Sequence, residues 1–180
     1  FIEILRYASE RHITVIPEVN LPGHARAAIK SMEKRYQRFA KQGNMEEAER
    51  YRLIDPEDQS VYSSAQSYKD NVACVCRESV YSFFERVVDV IMGYYAEAGV
   101  PIEYFHIGGD EIPSGPWTES PLCADFLSQF KNYETKNLHA YYFQRAIEIL
   151  RQRNLKAAGW EETALVEIDG KQAVNPKFSG

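Results

Sequence analysis

The sequence predicts an α/β fold with parallel strands, on three observations. Short β-branched or aromatic runs alternate with stretches of helical periodicity. Every such run is separated from the next by helix, the order that parallel strands with right-handed crossovers require. Each run also ends in a cluster of Gly, Pro, carboxylate or aromatic residues, where α/β domains place their ligand sites.

In chain order, Phe1 to about Arg11 is expected as a short helix. Ile13-Thr14-Val15-Ile16 is β-branched throughout and gives way to Pro17, so a strand near 13–19, buried on both faces, is expected. Ala25, Ala28, Ile29, Met32, Tyr36, Phe39 and Ala40 recur at helical spacing and Gly43 closes the run. Asn44 to Leu53 reads as a short surface helix. Residues 54–77 keep no period, which predicts a long loop, and loops of that length in a compact domain are often functional. Val80, Phe83, Phe84, Val87, Val88, Ile91, Tyr94, Tyr95 and Ala98 mark an amphipathic helix capped by Gly99. Ile102 to Ile107 is a second strand, near 102–108, running into Gly108-Gly109. Ser120-Pro121 has the form of an N-cap and first helical position. Leu138, Tyr141, Tyr142, Ala146, Ile149 and Leu150 define a helix to about Arg153. Leu155 to Gly159 is a third strand, near 155–160, ending at Trp160, and Asp169-Gly170 signals a small hairpin.

Three such strands fit a doubly wound sheet or a (β/α)8 barrel. A whole barrel takes ~250 residues, so this chain would supply about three of the eight units. The chain starts at Phe1, without Met or signal peptide, inside helical sequence, and a piece of a longer protein is expected.

Composition narrows the function. Among 180 residues, 44% are hydrophobic and 26% charged, as in one globular domain. No apolar run approaches the ~18–20 residues of a membrane span. A net charge of -5 without a basic face argues against nucleic acid as partner. Twelve Tyr, nine Phe and two Trp suit a neutral small molecule. Cys74 and Cys76 form a C-x-C pair, too tight for a redox C-x-x-C, and neither they nor Cys123 meet a second pair for zinc. Buried or idle thiols are expected.

The strand ends carry the chemistry. The first runs Pro17-Glu18-Val19-Asn20-Leu21-Pro22-Gly23-His24, the second His106-Ile107-Gly108-Gly109-Asp110-Glu111, the third Gly159-Trp160-Glu161-Glu162. Asp110-Glu111 is the sharpest feature. Adjacent carboxylates repel when both are ionised, which favours a retained proton, as a general acid needs. Neighbours on a regular strand point to opposite faces, and Gly108-Gly109 offers the backbone freedom to bring both to one pocket. The alternative is a solvated loop pair. His24 reads as a helix-start packing residue or a functional one in equal measure. His106, four residues before Asp110 on the second strand, reads equally as a functional residue or a packed barrel one, and His12 and His139 as structural or solvated. Trp160 is either core or a wall for a sugar ring. Glu161 and Glu162 are not distinguished. His24, His106, Asp110 and Glu111 are metal-ligand types, but no H-E-x-x-H or other tight spacing is present, and no metal is expected.

Taken together, the strand ends resemble glycoside hydrolase family 20, the β-N-acetylhexosaminidases and chitobiases. His106-Ile107-Gly108-Gly109-Asp110-Glu111 is similar to the family's H-x-G-G-D-E signature. Val15 to Ala25 is similar to its P-E-[hydrophobic]-D-x-P-G-H segment, and Gly159-Trp160-Glu161 to its G-W-[DE] strand end. Ala25-Arg26-Ala27-Ala28-Ile29 is closer to bacterial chitobiase-like members than to lysosomal ones. The resemblance implies a partial (β/α)8 TIM barrel, strands three to five, with residues 1–180 one fragment lacking the first two and last three strands. It implies a retaining exo-hydrolase of terminal β-linked N-acetylglucosamine or N-acetylgalactosamine, with the substrate's acetamido group as nucleophile, an exception to the two-carboxylate scheme. Glu111 would be general acid and then base. Asp110 would orient the acetamido group and stabilise an oxazolinium ion. His24 would stand close behind the pair and Trp160 would wall the acetamido pocket. Asn20, in the substrate-binding segment, departs from the family's Asp, keeping a hydrogen-bond acceptor but losing a charge. No metal or organic cofactor is implied. The partner would be an N-acetylhexosamine-terminated oligosaccharide or glycoconjugate, and that substrate class favours a periplasmic or extracellular location. Two rivals remain at this level: an inactive carbohydrate-binding or interaction fragment of such a barrel, and a metal-dependent barrel hydrolase.

Overall fold

A computed structural model describes residues 1–131, 133–168 and 171–174. Among these residues, six α-helices frame a small parallel sheet. They are α1 (Ile2–Ser9), α2 (Arg26–Lys41), α3 (Met45–Glu49), α4 (Glu78–Ala98), α5 (Pro121–Ser128) and α6 (Leu138–Arg151). Strand β1 (Tyr104–His106) pairs in parallel with β2 (Lys156–Ala158), with Phe105 opposite Ala157. The α/β order and the parallel pairing are those the sequence predicts.

The first predicted strand is a correction. Residues 13–16 pair with no strand among the described residues, and Ile13 and Ile16 are 59% and 48% exposed rather than buried on both faces. The chain meets β1 only from Pro17 on. His106 N donates to Pro17 O (2.9 Å), Val19 N donates to His106 O (3.0 Å), and Glu18 forms a single parallel bridge to His106. Pro17 and Pro22 have no N–H to give, which keeps this pairing short. Upstream, the Tyr95 hydroxyl donates to Val15 O (2.9 Å) and holds the extended segment to α4. The other two strands are also shorter than 102–108 and 155–160.

Leu165–Ile168 (β3) and Lys171–Val174 (β4) pair antiparallel, as the hairpin signal predicts. Its turn, Asp169-Gly170, and the tail from Pro176 lie outside the described residues.

The core lies between α4, α6 and the sheet. Val80, Phe84 and Val88 of α4 are buried in it, with Phe84 edge to face on Phe105 of β1 at 6.0 Å. Tyr142, Phe143, Ala146 and Leu150 bury the matching stripe of α6. Helix α1 packs on α4, and Arg6 donates to Glu97 O (2.9 Å) at the C-terminal end of α4, where carbonyls lack partners. Ser120 caps α5 by accepting from Cys123 N (3.1 Å), and its hydroxyl donates to Asp55 Oδ2 (2.6 Å). Burial pushes the Asp55 carboxyl up, but hydrogen bonds from Ser120 and the backbone outweigh it and hold it below its usual value.

The cysteines are a second correction. Cys76 and Cys123 form a disulfide with Cα atoms 5.4 Å apart. Only Cys74 is a buried free thiol, and burial pushes it up to about 11. The bond ties the end of the 54–77 loop to α5.

His139 is structural, one of the two alternatives the sequence left. Its ring meets Phe143 edge on at 4.6 Å, and Nε2 has no hydrogen-bond partner among the described residues. Burial pulls this imidazole down to about 4 from 6.5. The unfolded chain therefore binds a proton below 6.5 that the folded chain refuses until about 4. Stability from this group is complete above the higher value and is lost as pH falls toward the lower, by about 3 kcal/mol in all. His139→Phe is expected to keep the ring packing and flatten the fall in unfolding midpoint between about pH 7 and pH 4. An equally steep fall in the variant would show that other groups control acid stability.

Candidate active site

After β1 the chain leaves the strand geometry at once. Gly108 (φ +71°), Gly109 (φ +99°) and Glu111 (φ +51°) all take left-handed conformations. The alternation that would send Asp110 and Glu111 to opposite faces is thereby broken. Both carboxylates reach His24, with Nε2 3.4 Å from Asp110 Oδ2 and 3.6 Å from Glu111 Oε2. His24 Nε2 is buried and forms no aligned hydrogen bond with either oxygen.

Asn20 holds the turn from the other strand end. Its amide donates to Asp110 Oδ1 (2.6 Å), and its Oδ1 accepts from Gly109 N (3.1 Å). The approach is close enough that a Cβ on Gly108 would collide with the Asn20 side chain. Asn20 thus holds Asp110 in place. His24 sits on the turn before α2, which the 54–77 loop fixes through Ala25 N to Asn71 O (2.9 Å) and Ala73 N to Pro22 O (2.8 Å).

Asn20, His24, Asp110 and Glu111 therefore meet in one place. Trp160 does not join them directly. It stands at the neighbouring strand end, its backbone N donating to Gly108 O (3.0 Å) and its indole Nε1 donating to Glu18 Oε1 (3.1 Å). Its ring meets His106 edge on at 5.0 Å and remains 49% exposed, so it is not a core residue. Gly108 N donates to His106 Nδ1 (3.1 Å), and Glu18 Oε1 lies 3.6 Å from the same nitrogen. Glu18 as the anchor of Trp160 is a role the sequence did not reveal, across 142 residues.

Gln66 was also missed. From the aperiodic loop, its Nε2 donates to Glu111 Oε2 (2.6 Å). The length of that loop was the signal available.

Exposure separates the pair. The Glu111 side chain is 46% exposed and that of Asp110 28%, so Glu111 is the more open of the two carboxyls. A cleft of about 640 Å³ opens beside it, lined by Ile112, Trp117, Lys136, His139 and Glu162. Glu162, not Glu161, reaches this cleft. Among the described residues, ligand atoms of His24, Asp110 and Glu111 lie within 4.8 Å of one another, close enough to share a cation or a proton. His106 lies outside that trio.

A carboxylate pair with a histidine, at the C-terminal ends of parallel strands, defines an α/β protein equipped for acid–base chemistry on a bound ligand. Residues 1–175 match the glycosyl hydrolase family 20 catalytic domain, and the chain belongs to this family. It is 40% identical to β-hexosaminidase B of Pseudoalteromonas piscicida over 90% of this chain and 21% of the relative. It is 45% identical to N,N'-diacetylchitobiase of Vibrio harveyi over 96% of this chain and 23% of the relative. Its structure resembles that of a family 20 exo-β-N-acetylglucosaminidase from Vibrio harveyi, solved in complex with N-acetylglucosamine. The TM-score is 0.73 at 34% identity, over 91% of this chain and 23% of that one. The chain thus spans between a fifth and a quarter of the length of these three relatives.

Proposed function

We propose that the protein carrying this segment is a β-N-acetylhexosaminidase that removes terminal β-linked N-acetylglucosamine or N-acetylgalactosamine with retention. The observation that carries the reading is the convergence of Asp110 and Glu111 on His24 at the end of β1. Glu111, the more exposed, protonates the glycosidic oxygen and later takes the proton of the attacking water. Asp110, gripped by Asn20, faces the 2-acetamido group, orients its carbonyl toward the anomeric carbon and stabilises the positive charge that develops on its nitrogen. Trp160, anchored by Glu18, offers its face to the acetamido methyl and sugar ring. The segment 17–19, β1 and β2 would then be strands three to five of a (β/α)8 barrel, the remaining strands supplying contacts to the sugar hydroxyls.

Family membership and relatives named for such activities support this reading, as does the backbone strain kept at Glu111. The test is stereochemical. Proton NMR of a full-length digest is expected to show the β-anomer first, because attack by the acetamido oxygen and then by water inverts twice. A thiazoline mimic of the cyclised intermediate is expected to inhibit strongly, since it resembles the transition state more than the substrate does. An α-anomer as first product would sink the substrate-assisted reading.

A further inference from the structure

We infer that Gln66 is the positioning residue of the proton donor, holding Glu111 Oε2 so that Oε1 delivers the proton and stabilising the carboxylate left behind. This rests on the reading of Glu111 as general acid. The geometry is one-sided. Gln66 Nε2 donates to Oε2 at 2.6 Å and His24 Nε2 approaches the same oxygen at 3.6 Å. Among the described residues no side chain hydrogen-bonds to Oε1, which is the oxygen left for substrate.

The loop is built to present this amide. Ser64 to Tyr68 close a tight turn, with Ser64 N donating to Tyr68 O (2.8 Å), Ser67 N to Ser64 O (2.8 Å) and Tyr68 N to Ser64 Oγ (3.1 Å). Ser67 takes a left-handed conformation (φ +62°) within it. Around the turn, Arg26 lies over the Tyr68 ring at 4.7 Å and donates to Asp70 Oδ1 (2.8 Å). Val72 N donates to the Tyr62 hydroxyl (3.2 Å), and Trp117 Nε1 donates to Ala73 O (2.9 Å). An exposed glutamine at the tip gains little fold stability from one hydrogen bond. Its value lies in the reaction. As the glycosidic C–O bond breaks, its electron pair goes to the leaving oxygen, which takes the proton from Glu111 Oε1. The negative charge that appears on Glu111 is shared with Oε2, where Gln66 N–H already points. A neutral hydrogen bond becomes a charge-assisted one, roughly twice as strong, so the contact favours the transition state over the ground state.

The test compares Gln66→Met, Glu111→Gln and the double variant in the full-length enzyme. Met keeps the side-chain length and removes the N–H donor. For alkyl or oligosaccharide glycosides, kcat of Gln66→Met is expected to fall about 10–100-fold. Aryl glycosides with acidic phenols should show little change in kcat, and neither their KM nor the unfolding midpoint should move. The double variant should be no slower than Glu111→Gln alone, because the two side chains act as one unit. Additive losses would overturn the proposal while leaving Glu111 as the acid. So would a rise in KM for oligosaccharides with kcat intact, which would make Gln66 a sugar contact. Full activity of Glu111→Gln would instead remove the acid assignment itself, and the proposal with it.

Discussion

Glu111→Gln in the full-length enzyme is expected to slow hydrolysis of an oligosaccharide or alkyl N-acetylglucosaminide by about 10²–10⁴-fold, the contribution of a positioned proton donor. The loss should shrink for an aryl glycoside whose phenol leaves without much protonation. Asp110→Asn provides the contrast. The amide still offers Oδ1 to Asn20, which donates to that oxygen now at 2.6 Å, so position is retained and charge is lost. Because Asp110 is assigned to the acetamido group, its loss should be felt equally by good and poor leaving groups. Steady-state kinetics over a series of leaving groups separates the two roles. If Glu111→Gln lost the same factor across the whole series, glycosidic-oxygen protonation would not be its task.

Gly108→Ala should be nearly as damaging, for a reason visible only in three dimensions. Gly108 has φ +71°, where an L side chain is strained by about 1–2 kcal/mol. Its Cβ would also collide with the Asn20 amide and come within 2.6 Å of the Asn20 Cα, so backbone as well as side chain must give way. The expected cost is about 2–4 kcal/mol of stability. Since Asn20 is the grip on Asp110, a displaced carboxylate should lower kcat by about 10²-fold as well. Gly43→Ala is the control, with nearly the same φ (+74°) but open space around the added carbon. It should show the strain without the loss of activity. Thermal melts and kinetics on both variants check this, and similar behaviour of the two would refute the collision argument.

Much of this site can be read along the sequence because its signals are local. Helical periodicity with Gly99 and Ser120 at the ends marks α4 and α5, and the helix termini follow from backbone groups that need capping. The two strand-end motifs delivered Asn20, His24, Asp110 and Glu111, all of which converge. What failed depended on distant partners. Residues 13–16 have strand composition, yet a strand exists only where a neighbour pairs with it. The Cys76–Cys123 bond spans 47 residues, and connectivity is not written in cysteine spacing. Gln66 and Glu111 are 45 residues apart, and no periodic pattern links an aperiodic loop to a strand end.

The disulfide also gives the chain a covalent ring. Between Cys76 and Cys123 lie α4, β1, the Gly-Gly turn and both carboxylates, while the Gln66 turn sits just outside the closure. A ring of this size removes about 4 kcal/mol of chain entropy from the unfolded ensemble. Made in the reducing cytosol of an expression host, the same polypeptide would lose that restraint, and the join between the Gln66 loop and α5 would be left to noncovalent contacts. Preparations that differ only in oxidation history would then differ in how firmly the Glu111 carboxyl is held, although every residue of the site is present in both.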